Sequence, residues 1–328
     1  MMKKRVKEGS AVLLALALAF SALSLPGARA ANAVDTNASC SVEFSIGGDY
    51  EDLKTIEGGV PINLYKVASI DETGAYKAEK GFESLDLSSV ENNNSSADTW
   101  LKRAEEANKL IKGTTPAATT TTVGGKALAS NLATGLYLIT AEEVKAANYV
   151  YNFTPYLISL PNNYYYASGD DTWVYDLTGA NAVGLKPEQT ARFGSLEITK
   201  ELLDHHITLG EKATFVFQID ITTLDGKTEA RQIALTFDGY GSKSAVIDNI
   251  PAGSDVVVTE IYSGAGYETV GSDSVNTTIV ADDTVSAGFQ NQHDGHLQGG
   301  YGVVNNFKLN ENNQYDWNKM NDNADAQE

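Results

Sequence analysis

The chain has 328 residues and carries 43 acidic against 24 basic side chains, a formal net charge of −19. No Lys/Arg cluster stands out against that excess, so nucleic acid and anionic lipid are excluded as partners. Its single cysteine, Cys40, excludes an internal disulfide, so a secreted form needs stabilisation of another kind.

Residues 1–30 read as a secretory signal peptide. Lys3, Lys4, Arg5 and Lys7 precede an apolar run from Ala11 to Leu25, and Ala28-Arg29-Ala30 supplies the small residues of a cleavage site. That run is too short to span a bilayer and no later run is longer, so the expectation is a secreted chain beginning near Ala31 with no transmembrane segment. Cys40 lies well beyond the apolar run, which disfavours a lipoprotein and suits a partly buried cysteine at the start of a strand.

Period-two alternation predicts strands over Cys40-Ser-Val-Glu-Phe-Ser-Ile46, Pro61–Val67 and Gly135–Ile139, separated by the Gly pairs at 47–48, 58–59 and 124–125. One helix is predicted over Ala97–Ile111. Trp100, Leu101, Ala104, Ala107, Leu110 and Ile111 form its apolar stripe, and Lys102, Arg103, Glu105 and Glu106 form the other face. Thr114–Thr122 reads as a Thr/Ala loop, and Gly179–Arg192 as a polar connector carrying Lys186-Pro187. A second alternating block begins at Gly194, with strands at Ser195–Lys200, Ala213–Asp220, Ile233–Phe237, Val256–Glu260 and Val285–Phe289. Turns such as Leu224-Asp-Gly226 and Ile250-Pro-Ala-Gly253 join them. The Asn/Asp-rich end, 310–328, reads as a loose polar tail. The fold expected is all-β, with two tandem Ig-like β-sandwich domains over 31–190 and 191–309, the first with one inserted α-helix.

Three segments of the second block resemble, in order, the isopeptide-forming β-sandwich of Gram-positive surface proteins, in its CnaB and streptococcal pilin-shaft forms. Gly194-Ser-Leu-Glu-Ile-Thr-Lys200 is similar to that family's first strand, which ends in a reactive lysine. Pro251–Glu260, followed by Tyr262 and Gly266-Tyr267, resembles the strand carrying the catalytic acid. Gly288-Phe-Gln-Asn291 resembles the last strand, where an acceptor Asn follows an aromatic. The resemblance implies that buried Lys200 serves as a neutral amine, Glu260 polarises the amide of Asn291, and an intramolecular amide forms as ammonia leaves. Gly302-Val-Val-Asn305 is also strand-like, so Asn305 is an alternative acceptor, although Asn291 follows the aromatic in the family's manner. Without the family pattern, Lys200 and Glu260 read as an ordinary ion pair and Asn291 as a turn cap.

In the first block, Gly135-Leu-Tyr-Leu138, Tyr151–Pro161 and Trp173-Val-Tyr-Asp176 are similar to the N-terminal domain of sortase-assembled pilins. The resemblance places the pilin-motif lysine at Lys186, whose amine would join other pilin subunits through a sortase. The usual Tyr-Pro-Lys-Asn is absent, and an exposed linker lysine fits the position equally well. No isopeptide trio is legible in this block: its first strand lacks a lysine, and Lys66 has no evident Asn partner and reads as a snorkelling strand lysine. The chain ends Asn323-Ala-Asp-Ala-Gln-Glu328 rather than in an LPxTG-type sorting signal, so wall anchoring through this terminus is not expected.

An enzyme acting on an external substrate finds little support. His205-His206, His293 and His296 sit in polar loops without carboxylates at ligand spacing, so no metal and no cofactor are expected. No nucleophile elbow, phosphate loop or dinucleotide fingerprint appears. A binding role remains open. Tyr164-Tyr-Tyr166 with Trp173 and Tyr175 could stack on a host glycan or contact a matrix protein, or could cover a sheet edge where the two domains meet. The reading is a secreted cell-surface structural subunit of pilin type, with an adhesin as the alternative.

Overall fold

The computed structural model describes residues 33–48, 50–91, 96–163, 172–206, 212–296, 306–310, 312 and 314–318. The signal-like segment, Tyr164–Tyr166 and Asn305 lie outside the described residues. The chain forms an all-β architecture of two compact units. Tyr151–Gln189 belongs to the first unit with the chain up to Ala146, and Ala147–Val150 belongs to the second with everything from Thr190. Ala147–Val150 thus leaves the first domain, where its place in the sequence puts it. Hydrogen bonds from Arg192 explain the difference, since its backbone N donates to Asn148 O at 2.9 Å and its guanidinium Nη1 to Ala147 O at 3.3 Å.

The first unit opens with β1 (Ser39–Ser45), α1 (Glu51–Lys54), β2 (Pro61–Ile70), β3 (Tyr76–Ala78), α2 (Ser88–Glu91) and α3 (Ala97–Leu110). There follow β4 (Ala118–Thr121), β5 (Lys126–Ala133), β6 (Gly135–Ala141), β7 (Val144–Lys145), β8 (Tyr149–Phe153, whose first two residues count with the second unit), β9 (Tyr156–Leu160) and β10 (Asn162–Asn163). The short strands β11 (Trp173–Val174), β12 (Asp176–Leu177), β13 (Val183–Gly184) and β14 (Pro187–Ala191, which runs into the second unit at Thr190) complete the series.

One sheet runs β3-β2-β6-β9 with β4 beside β2; a second has β5 along one edge of β1, and β12 and β13 in turn along its other edge. Strand β6 is buried at Gly135 through Ile139, so both its faces are covered. On one face Leu136 and Leu138 pack with Ala104 and Ala107 of α3. On the other, the Tyr137 hydroxyl donates to Ala133 O of β5 at 2.7 Å.

Helix α3 starts where Ser96 Oγ accepts from Thr99 N at 3.2 Å, which satisfies one orphan donor of the first turn. Leu101, expected in the apolar stripe, is instead exposed. The Thr/Ala stretch expected as a loop contributes β4, which pairs with Pro61–Leu64; its β-branched residues suit a pleated edge. Part of the expected connector is also in a sheet, because Val183–Gly184 pairs in parallel with Phe44–Ser45.

The second unit is a sandwich of two four-stranded sheets. Its strands are β15 (Phe193–Leu202), β16 (Ala213–Thr222), β17 (Thr228–Phe237), β18 (Gly241–Pro251), β19 (Asp255–Tyr262), β20 (Tyr267–Val270), β21 (Ser274–Thr278) and β22 (Thr284–His293). One sheet has the order β18-β15-β22-β20, the facing sheet β17-β16-β19-β21. Strand β15 pairs with β22 in parallel, from Ser195 opposite Thr284 to Leu202 opposite Asn291. Alternation drives the assembly. Leu196, Ile198, Ala287 and Phe289 from one sheet bury against Phe215, Phe217, Ile219, Val256 and Val258 from the other. At the entry of β15, a Cβ on Gly194 would lie 2.0 Å from Val280 O, so only glycine admits that backbone approach.

Beyond the sandwich, β23 (Asn306–Leu309) and β24 (Tyr315–Asn318) form an antiparallel pair. Part of the stretch expected as a loose tail is therefore a hairpin. Asn310 organises its turn, with Oδ1 accepting from Asn312 N and Gln314 N at 3.0 Å each.

Candidate functional site

The inward face of β15 reads Leu196, Ile198, Lys200, Leu202, so the period that buries the leucines also buries a lysine. Its neighbour β22 carries Ala287, Phe289 and Asn291 on the same inward face. Lys200 stands opposite Phe289 in the register, which sets Asn291 one diagonal step away. From the facing sheet, β19 turns Val256, Val258 and Glu260 inward. The three polar residues meet inside the sandwich, with Lys200 and Asn291 fully buried and Glu260 6% exposed.

Lys200 Nζ donates to Glu260 Oε1 at 2.6 Å and also to Asn291 Oδ1. Asn291 Nδ2 donates to Ser263 O at 3.0 Å and to the same Glu260 Oε1 at 3.3 Å. The remaining carboxyl oxygen, Oε2, accepts from Thr269 Oγ1 at 3.0 Å. Phe215 and Phe217 flank the amine, their ring centroids 4.6 and 5.8 Å from Nζ. Burial in this apolar setting holds the Lys200 ammonium below its ordinary lysine value, and the Glu260 carboxylate pulls it partly back. An amine, an amide carbonyl and a carboxyl group in mutual contact, shut away from water, are the reactants and the proton carrier of a transamidation.

The structure thus brings Lys200, Glu260 and Asn291 into one contact. Thr269, Ser263 and the two phenylalanines join them without being marked by any sequence motif. Alternation from Tyr267 marks Thr269 only as inward-facing; its place opposite Asn291 comes from the register of β20 with β22.

Lys186 is in the other unit. Its Nζ sits 5.1 Å from the centroid of the Tyr156 ring, and burial of the half-covered side chain holds its ammonium below the usual value. Lys66 reaches Glu79 Oε1 at 3.5 Å. Trp173 is buried with Val34 and Ile70, and Tyr175 accepts from Asp35 N at 2.7 Å through its hydroxyl, so both serve packing within the first unit. Cys40 is a buried free thiol.

The His205-His206 pair and His293, expected in separate loops, come together at the ends of β15 and β22. The His206 and His293 rings are 4.0 Å apart, and His293 N donates to Asp204 Oδ1 at 2.7 Å. Among the described residues no group of three His, Cys, Asp or Glu is arranged to hold a metal ion, and no helix is long and apolar enough to cross a membrane.

A family model described as "Domain of unknown function (DUF5979)" matches residues 196–294, which span the second sandwich. No curated protein matches the sequence. Among solved structures, GBS52, the minor pilin of Streptococcus agalactiae, is similar at 17% identity over 80% of this chain and 99% of its own, with a TM-score of 0.25. The major pilin of Streptococcus pyogenes is similar at 11% identity over 78% and 98%, with a TM-score of 0.24. The TIE protein of Bacillus anthracis is similar at 16% identity over 78% of this chain and 34% of its own, with a TM-score of 0.29. At such scores these likenesses say nothing about the chemistry of the trio, which stands on its own residues.

Proposed function

We propose that the chain is a structural subunit of a bacterial surface whose second unit staples itself with an amide bond between Lys200 and Asn291. The single observation that carries this reading is the contact of Lys200 Nζ with both Glu260 and the Asn291 amide in a site without exposed side-chain surface. A buried Lys–Glu pair alone is weak support for stability, since desolvating two charges offsets their attraction. A reaction that consumes the amine gives the trio a purpose that ion pairing does not.

The reaction balances in atoms and protons. The Lys200 ammonium passes one proton to Glu260 Oε1 and becomes a neutral amine. The amine nitrogen attacks Asn291 Cγ, and the oxyanion collapses to break the Cγ–Nδ2 bond. Protonated Glu260 gives its proton to Nδ2, which leaves as ammonia, and takes one in return from the attacking nitrogen. The products are one secondary amide, one ammonia and a protonated Glu260. No oxidant, metal or external acyl donor is needed. Asn291 Nδ2 already points its donors at Oε1 and at Ser263 O, so the leaving nitrogen is next to its proton source.

The placement at a cell surface draws on the secretory character of residues 1–30, and the pilin reading on the resemblance of the Trp173–Asp176 and Gly184–Glu188 segments. In that reading Lys186 is the amine that attacks a sortase-bound acyl group of another subunit, releasing the enzyme's thiol. Desolvation against Tyr156 favours its neutral, nucleophilic form. The glycan-binding alternative keeps only the tyrosines at 164–166, since Trp173 and Tyr175 are engaged in packing.

The test is an intact mass of the full chain beside Glu260→Ala, with peptide mapping. The expected result is a deficit of one ammonia in the unaltered chain, a Lys200–Asn291 branched peptide, and the full mass in the variant. An undiminished mass in the unaltered chain overturns the staple.

A further inference from the structure

We infer that Thr269 is the positioning residue of the crosslinking reaction, fixing which oxygen of Glu260 faces the reacting groups; this rests on the staple proposed above. The two carboxyl oxygens of Glu260 have different surroundings. Oε1 meets both the attacking nitrogen, at 2.6 Å, and the leaving nitrogen, at 3.3 Å. Oε2 takes its hydrogen bond from Thr269 Oγ1 at 3.0 Å. One oxygen must therefore accept a proton from one nitrogen and return it to the other, which is possible only if the carboxyl plane stays aimed along the line between them.

Nothing intrinsic to glutamate holds that aim. Its terminal torsion joins an sp³ to an sp² carbon and has a broad, roughly two-fold profile. A turn of the carboxyl group about that torsion would carry Oε1 off Nδ2 while leaving the glutamate buried. Thr269 is well placed to prevent it. Its strand pairs with β22 so that Thr269 is the cross-strand partner of Asn291 itself, and its hydroxyl reaches past the amide to the facing sheet. The β-branch limits χ1, so the hydroxyl is held by its own backbone as well as by the bond it makes. Ser263 O performs the matching service for the leaving nitrogen, accepting from Nδ2 at 3.0 Å. The amide and the carboxyl are thus each clamped by a group that takes no part in bond making.

The experiment compares Thr269→Val, which keeps the shape without the hydroxyl, with Thr269→Ser, which keeps the hydroxyl without the methyl. The full chains are made by cell-free translation, quenched at intervals and followed by intact mass. The expected result is crosslinking slowed by about tenfold to a hundredfold in the valine variant and preserved within a few-fold in the serine variant. A role in packing alone gives the opposite order, with valine fast and serine slow, and that order overturns the inference, as does a valine variant that reacts at the unaltered rate. Should the valine variant prove protease-sensitive, Thr269→Ala against Thr269→Ser decides by the same criterion. A chain with native Thr269 that never loses ammonia sinks the staple itself, a result distinct from any ranking of the variants.

Discussion

Lys200 and Asn291 are 91 positions apart in the sequence, yet their side chains touch on neighbouring parallel strands, one diagonal step from each other. That closeness follows from two things, the parallel register of β15 with β22 and an alternation that turns both residues inward.

If the proposed staple forms, Asn291→Ala removes its acceptor amide and with it the closure of the long segment between the two strands. In the loop-closure treatment of a covalent link, a loop of roughly a hundred residues is worth about 4–5 kcal/mol. Hydrogen exchange of β15 and β22 through global opening should accelerate by about a thousandfold in the variant. Equal protection in both chains would mean that no covalent closure exists.

The crosslinking rate should fall as the solution is made acidic. Burial places the Lys200 ammonium below the ordinary lysine value of 10.5, so the neutral amine appears at lower pH than on an exposed lysine. The rate rises with pH as the share of neutral amine grows and is lost in acid, because an amine that keeps its proton has no lone pair to attack with. A time course of ammonia loss in newly made chains across a pH series should reach its plateau below 10.5. A plateau only at or above that value would contradict the burial argument.

Cys40 should be inert in the native protein. Burial, helped by the nearby Asp176 carboxylate, pushes its thiol up to about 11, and the thiolate is the species that reacts. Iodoacetamide at neutral pH should label Cys40 only after unfolding, and stoichiometric labelling of the folded chain would count against the placement of β1.

Gly194→Ala should destabilise the second unit by about 1–3 kcal/mol, because the new methyl has to displace backbone at Val280 and the side chain of Ile279. Both obstacles belong to the segment just before β22, so the variant should also crosslink more slowly. Thermal unfolding and the mass time course can be read on the same preparation, and an unchanged melting temperature would count against the close approach at Gly194.

Much of the second sandwich is legible in the sequence, since strict alternation at Gly194–Lys200 and Gly288–Asn291 marks both the strands and their buried faces. The trio can be named from the resemblance because each member ends a recognisable strand. Thr269 cannot be named that way, for its role depends on the β20–β22 register, a long-range fact that no local pattern contains. The same holds for β4 and β13. Thr119–Thr121 and Val183–Gly184 have the composition of loops, and only the partners β2 and β1 make them strands. Leu101 shows the converse, an apolar residue at helical spacing that faces outward because the core side of α3 is already filled by Ala104 and Ala107.

The parallel run of β15 beside β22 has a mechanical meaning. The sandwich's first strand begins at one end of its sheet, and its last strand finishes at the other. With the proposed amide, tension applied along the chain enters at Phe193, travels up β15 to Lys200, crosses to Asn291 and leaves the sandwich within a few residues. With the amide in place, everything between those two side chains is bypassed by the load, and the fold can be tugged without being unspooled.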